Sequence, residues 1–116
     1  MSSVLLLGLD PRLAPGVDAD AVLALVDADM ARLRERGVDA STVELPLDES
    51  AESVIVGALA ERAWDVVVIG GGIRKTDQLL PLFEKTLHLI RQHAPQAAIA
   101  FNTSPGDSSE AAQRRL

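Results

Sequence analysis

Residues Asp65 to Thr76 read DVVVIGGGIRKT: an unbroken apolar run, three glycines, then two cations and a hydroxyl. Val66, Val67, Val68 and Ile69 are all β-branched and do not alternate with polar residues, which predicts a strand covered on both faces, as in the middle of a parallel sheet. Gly70, Gly71 and Gly72 are expected to turn the backbone through positive φ and to bring bare N–H groups to the surface. Arg74 and Lys75 follow at once, and Thr76 and Asp77 suit a helix start. A strand, a glycine turn and a helix start together present amides and a helix dipole to an anion. As a motif the stretch is incomplete. A dinucleotide fingerprint needs a glycine where Lys75 stands, and a phosphate loop needs a longer turn ending in Gly-Lys-Ser/Thr.

Length and composition set the frame around this strand. A chain of 116 residues suits one domain spanning 1–116, with 47% hydrophobic and 24% charged residues, as in ordinary globular proteins. Only 3% of residues are aromatic, so surfaces for stacking bases are nearly absent. With 17 acidic against 11 basic residues the net charge is -6, which disfavours nucleic acid as a partner. The absence of cysteine removes thiol catalysis, disulfides and thiolate metal sites together. The start, MSSVLLLGLD, lacks the cationic region of a signal peptide, and no stretch approaches the ~20 apolar residues of a membrane span. A soluble, cytoplasmic chain without membrane association is expected.

Working outward, Val4 to Leu9 is a second continuous apolar run and hence another buried strand, which should neighbour the first. Asp10 to Gly16 carries Asp10, Arg12, two prolines and a glycine, which end the strand and oppose an early helix. Asp18 or Asp20 then caps a helix whose apolar residues Val22, Leu25, Val26, Met30 and Leu33 recur at helical spacing, and Gly37 closes it. Val38 to Leu45 is a strand with polar residues scattered through it, suiting a sheet edge. A second helix runs from the acidic Asp48–Glu52 region to about Ala63, with Ala51, Val54, Ile55, Ala58 and Leu59 as its stripe. Trp64 is expected to pack the bottom of the core. Gln78 to His93 forms a third helix with Pro81 in its first turn, and its leucines spread over about half the circumference, wider than the ≳100° stripe one sheet demands. Ala97 to Phe101 is a fourth strand. Ser104, Pro105 and Asp107 open a short last helix, to about Arg115, with few apolar residues to cover the sheet.

The order βαβαβαβα, right-handed crossovers and the burial of strands one and three predict an α/β three-layer sandwich. Its four-stranded parallel sheet has the order 2-1-3-4, a truncated flavodoxin-like arrangement. The first and last helices should lie on one face, the second and third on the other. Ligands of such folds sit outside the carboxyl ends of the strands where the strand order reverses. Three loops meet there. Asp10 and Arg12 come from the first, Gly70, Gly71, Gly72, Arg74, Lys75 and Thr76 from the second, and Asn102, Thr103 and Ser104 from the third.

The residues Gly70 to Lys75 and Phe101 to Leu116, reading GGGIRK and FNTSPGDSSEAAQRRL, resemble those of small single-domain bacterial proteins of unassigned function. The resemblance implies the flavodoxin-like fold and brings no activity or cofactor with it.

The leading functional expectation is a small anionic or phosphorylated ligand held in this crevice by Arg74, Lys75 and the glycine amides. Two others stand beside it: a homodimerising or partner-binding module using the third helix and the fourth-strand edge, and an enzyme acting on a phosphorylated or carboxylated metabolite. No catalytic residue is identified. A receiver domain would carry an aspartate where Gly70 stands, and a serine nucleophile would need a histidine in reach. His88 and His93 are five apart, offset around the helix, and make no metal pair.

Overall fold

Short, continuous, β-branched apolar runs become buried strands, because a sheet covered on both faces removes every side chain of such a run from water. The computed structural model describes residues 1–116 and realises this arrangement. In chain order its elements are β1 (Ser3–Leu9), α1 (Ala19–Glu35), β2 (Asp39–Leu45), α2 (Ala51–Ala60), β3 (Val66–Ile69), α3 (Gly71–Arg74), α4 (Leu80–His93), β4 (Ala98–Phe101) and α5 (Ser108–Gln113). Short 3-10 turns lie at Pro11–Leu13 and Asp77–Leu79.

All four strands are parallel, in the order β2-β1-β3-β4, which is the flavodoxin-like arrangement. Leu7 stands beside Ile69, and Ile69 beside Phe101. The alternation of side chains divides the core in two. Leu5, Leu7, Val67 and Ile69 meet Ile55 and Leu59 of α2, Leu89 and Ile90 of α4, and Trp64. On the opposite face Val4, Leu6, Val66 and Val68 meet Met30 and Leu33 of α1 with Ala111 and Ala112 of α5. Trp64 is fully buried and donates its indole N–H to the carbonyl of Ala58 at 2.9 Å, so the large ring closes the base of the first core without an orphaned donor.

Local chemistry sets the helix ends. Asp18 caps α1 by accepting from the Ala21 amide at 3.1 Å, and Gly37 supplies the left-handed residue after it, with φ +80°. α5 covers more of the sheet than its composition suggests. Its buried residues Ser108, Ser109, Ala111 and Ala112 are small, so the helix approaches closely. It is held by Asp29 of α1, whose carboxylate accepts from the Ser109 amide at 2.9 Å and the Ser109 hydroxyl at 2.6 Å.

Several boundaries differ from the sequence expectation. α2 stops at Ala60 rather than near Ala63, and the 3-10 turn at Pro11–Leu13 forms despite its proline, whose missing N–H is harmless at a first helical position. The predicted third helix is preceded by its own 3-10 turn and begins at Leu80. Its wide apolar arc is largely absorbed: Leu89 and Ile90 are buried, Leu82, Phe83 and Leu87 half-buried, and Leu80 remains exposed.

Candidate functional site

At the carboxyl ends of β1, β3 and β4 the loops leave toward different faces, and a cleft of about 400 Å³ opens between them. One wall is apolar, made by Leu9, Pro11, Ala14 and Val17 of the β1–α1 connection and by Val22 and Val26 of α1. The other wall is Gly70 to Gly72, Lys75, Thr76 and the segment Asn102 to Pro105.

The glycines work differently from the expectation. None of Gly70, Gly71 and Gly72 has positive φ; only Gly16 and Gly37 do. Gly70 is extended, at φ -70° and ψ 156°, and the chain then makes a single helical turn. Thinness is what the glycines contribute. A Cβ on Gly72 would stand 3.2 Å from Cβ of Leu9, so its absence lets α3 settle against the end of β1. The helix is one turn long, too short for the aligned dipole that the sequence pattern suggested.

The three cations expected at the crevice separate. Arg12 turns away: its Nε lies 3.0 Å from the Asp10 carboxylate and a terminal nitrogen 3.2 Å from Glu44 of β2. The Arg12 side chain, then its amide, hold the Asp10 carboxyl below its usual range, and Asp10 in turn raises Arg12. Neither residue lines the cleft. Arg74 is also absent from the lining. It donates from Nε to the Ile69 carbonyl at 3.0 Å and from a terminal nitrogen to the Asn102 side-chain oxygen at 3.0 Å and the Asn102 carbonyl, while its guanidinium stacks 5.1 Å from the Phe101 ring centroid. It thus ties the end of β3 to the end of β4. Burial lowers its pKa, with the Asp107 charge opposing.

Lys75 is the cation that remains. Its stem folds back over Gly71, where a Cβ would stand 3.4 Å from Cε, and its ammonium donates to the Thr103 carbonyl at 2.8 Å. An ammonium has three donors, so two N–H groups remain without a protein acceptor. Lys75 is the only charged residue in the lining.

The polar residues from the third loop are mostly engaged. Asn102 is buried and donates to the Ser108 hydroxyl at 3.0 Å while accepting from Arg74. The amides of Thr103 and Ser104, which could have cradled an external anion, donate instead to the Asp107 carboxylate at 2.8 and 3.0 Å, joined by the Thr103 hydroxyl. Burial works against that carboxylate, but these hydrogen bonds, with the Arg114 charge, outweigh it and hold the carboxyl below its usual range. Thr76 donates its hydroxyl to the Gly72 carbonyl, and Ser104 accepts from the Gly106 amide, leaving its own proton free.

The cleft therefore brings together Gly70, Gly71, Gly72, Lys75, Thr76, Asn102, Thr103 and Ser104 but not Asp10, Arg12 or Arg74. Sequence reasoning missed the apolar wall. Val22 and Val26 were legible only as core positions of a helix, and the one available signal was Val17, an apolar residue directly before the Asp18 cap.

No protein-family model and no curated protein matches the chain. Among solved structures it is similar to a fragment described as a "putative lipoprotein" from Peptoclostridium difficile 630, with a TM-score of 0.57 and 13% identity over 97% of this chain and 93% of that one. The likeness is one of fold. It agrees with the α/β parallel-sheet fold that the sequence implies and carries no activity. No helix is long and apolar enough to cross a membrane.

Proposed function

We propose that the protein binds a small anionic ligand in the cleft at the carboxyl ends of β1, β3 and β4, with Lys75 as its charge anchor. One observation carries this: the sole charged side chain lining the cleft is a cation, in a chain whose net charge is -6. Its ammonium is already restrained by Thr103, so little side-chain freedom is lost when a ligand arrives. The volume lies within the range of metabolite pockets, roughly 300–1,000 Å³. Binding is favoured over turnover, since no histidine or carboxylate lines the cleft to serve as a general base for its hydroxyls. The test is calorimetric titration with small carboxylates and phosphates, on the wild type and on Lys75→Met, which keeps the stem and removes the charge. An anion that binds the wild type and weakens about tenfold or more in the variant supports the anchor. Equal binding to both places the anchor elsewhere.

A second use of the surface is favoured by a separate observation. The outer edge of β4 pairs with no strand and carries Phe101 at 41% exposure, with Arg114 donating to the Phe101 carbonyl at 3.1 Å, whereas the β2 edge carries the ion pairs Arg12–Glu44 and Arg62–Asp39. On that difference we propose β4 as the edge through which the chain would self-associate.

A further inference from the structure

Resting on Lys75 as the anchor, we infer that the ligand is a singly charged carboxylate with an aliphatic body. The two walls of the cleft differ in kind. Lys75 stands on one side, and Val17, Val22 and Val26, with Pro11 and Leu9, stand on the other. A bare anion at Lys75 would leave that apolar wall facing water, while a ligand carrying hydrocarbon would cover it.

The charge is limited to one by the surroundings. A second negative charge would find no second cation in the lining, because Arg12 is drawn to Asp10 and Glu44 and Arg74 is spent on Ile69 and Asn102. The amides of Thr103 and Ser104, which could have met it, are already taken by the Asp107 carboxylate. Phosphate monoesters, doubly charged near neutral pH, are thereby disfavoured against carboxylates. The two open N–H groups of Lys75 match the two oxygens of one carboxylate.

The body is aliphatic because no aromatic residue lines the cleft. Phe101, the aromatic ring at the end of β4, is engaged with Arg74 and meets Phe83 edge-on at 6.1 Å between centroids. Bases, flavins and nicotinamides would have nothing to stack on.

The test titrates straight-chain monocarboxylates of increasing length into the full chain at neutral pH, beside primary alcohols of equal length and inorganic phosphate. Affinity is expected to rise roughly three- to fourfold per added methylene until the tail outgrows the cleft. Each alcohol should bind about tenfold or more weakly than its acid, a difference that vanishes in Lys75→Met. Val17→Ser, at a position already 44% exposed, should flatten the dependence on tail length and leave the shortest acids unaffected. Thermal unfolding of both variants verifies that the fold is kept. Lys75-dependent binding that ignores tail length, or phosphate binding as tightly as the longest acid, overturns the aliphatic inference and leaves the Lys75 anchor standing. If no acid and no phosphate binds, or Lys75→Met binds them unchanged, both fall.

Discussion

Arg74 and Lys75 are adjacent cations, yet the single turn of α3 sends them to different tasks. Arg74 satisfies two strand-end carbonyls, so Arg74→Ala should destabilise the fold by about 1–3 kcal/mol, because the carbonyls of Ile69 and Asn102 lose a charged donor. Chemical denaturation checks this. Lys75→Met should leave the denaturation midpoint near wild type, since its one internal bond is exposed. Equal destabilisation by the two would mean that Lys75 is structural as well. Asp107 sets a pH dependence. Its folded-state pKa lies below the ordinary 3.8, so its contribution is complete above that value and is lost as pH falls through the lower folded-state value. Asp107→Asn should therefore lose stability less steeply than the wild type in acid, while Asp10 and Asp48, also depressed, keep their share of the slope. Urea titrations on either side of pH 3.8 measure it.

At the scale of elements, α5 shows how a short helix is held. The residue before it, Asp107, faces backward into the loop, and the amide of Ser109 is met from a distance by Asp29 of α1, whose side chain is 1% exposed. Asp29→Ala should cost roughly 1–3 kcal/mol, since it leaves a buried amide and hydroxyl without acceptors. Hydrogen exchange should show α5 losing protection while β1 and β3 keep theirs; uniform loss would mean that α5 and the sheet open as one unit. The strands were legible because β-branched runs without polar interruption have few other places to go. The pairing of Asp29 of α1 with Ser109 of α5 was not, because an aspartate in an amphipathic helix looks the same in sequence whether it meets water or a neighbouring helix.

Over the whole molecule, the two sheet edges are unequal. β2 carries two ion pairs, and β4 reads Ala-Ile-Ala-Phe with no strand on its outer side and Arg114 on the Phe101 carbonyl alone. Self-association, if it proceeds through β4, should weaken in Phe101→Lys, a change at an already exposed side chain that places charge on an open edge. Light scattering across a concentration series reads it directly. A wild-type chain that stays monomeric throughout, or an associated state untouched by the substitution, excludes this edge.

The order of the four strands and the four helices between and after them, the sheet order 2-1-3-4 and the division of those helices between faces follow from sequence alone, whereas the single turn of α3 does not. The position of the crevice follows with them. Which polar groups remain free inside it was decided only by tertiary structure. Arg12 found Glu44 across 32 residues, Arg74 found Asn102 across 28, and Asp107 filled the amides of its own loop. A sequence lists donors and acceptors, but they are consumed by partners that only the folded chain brings within reach. Lys75, with two N–H groups left over beside an apolar wall, is the remainder of that pairing.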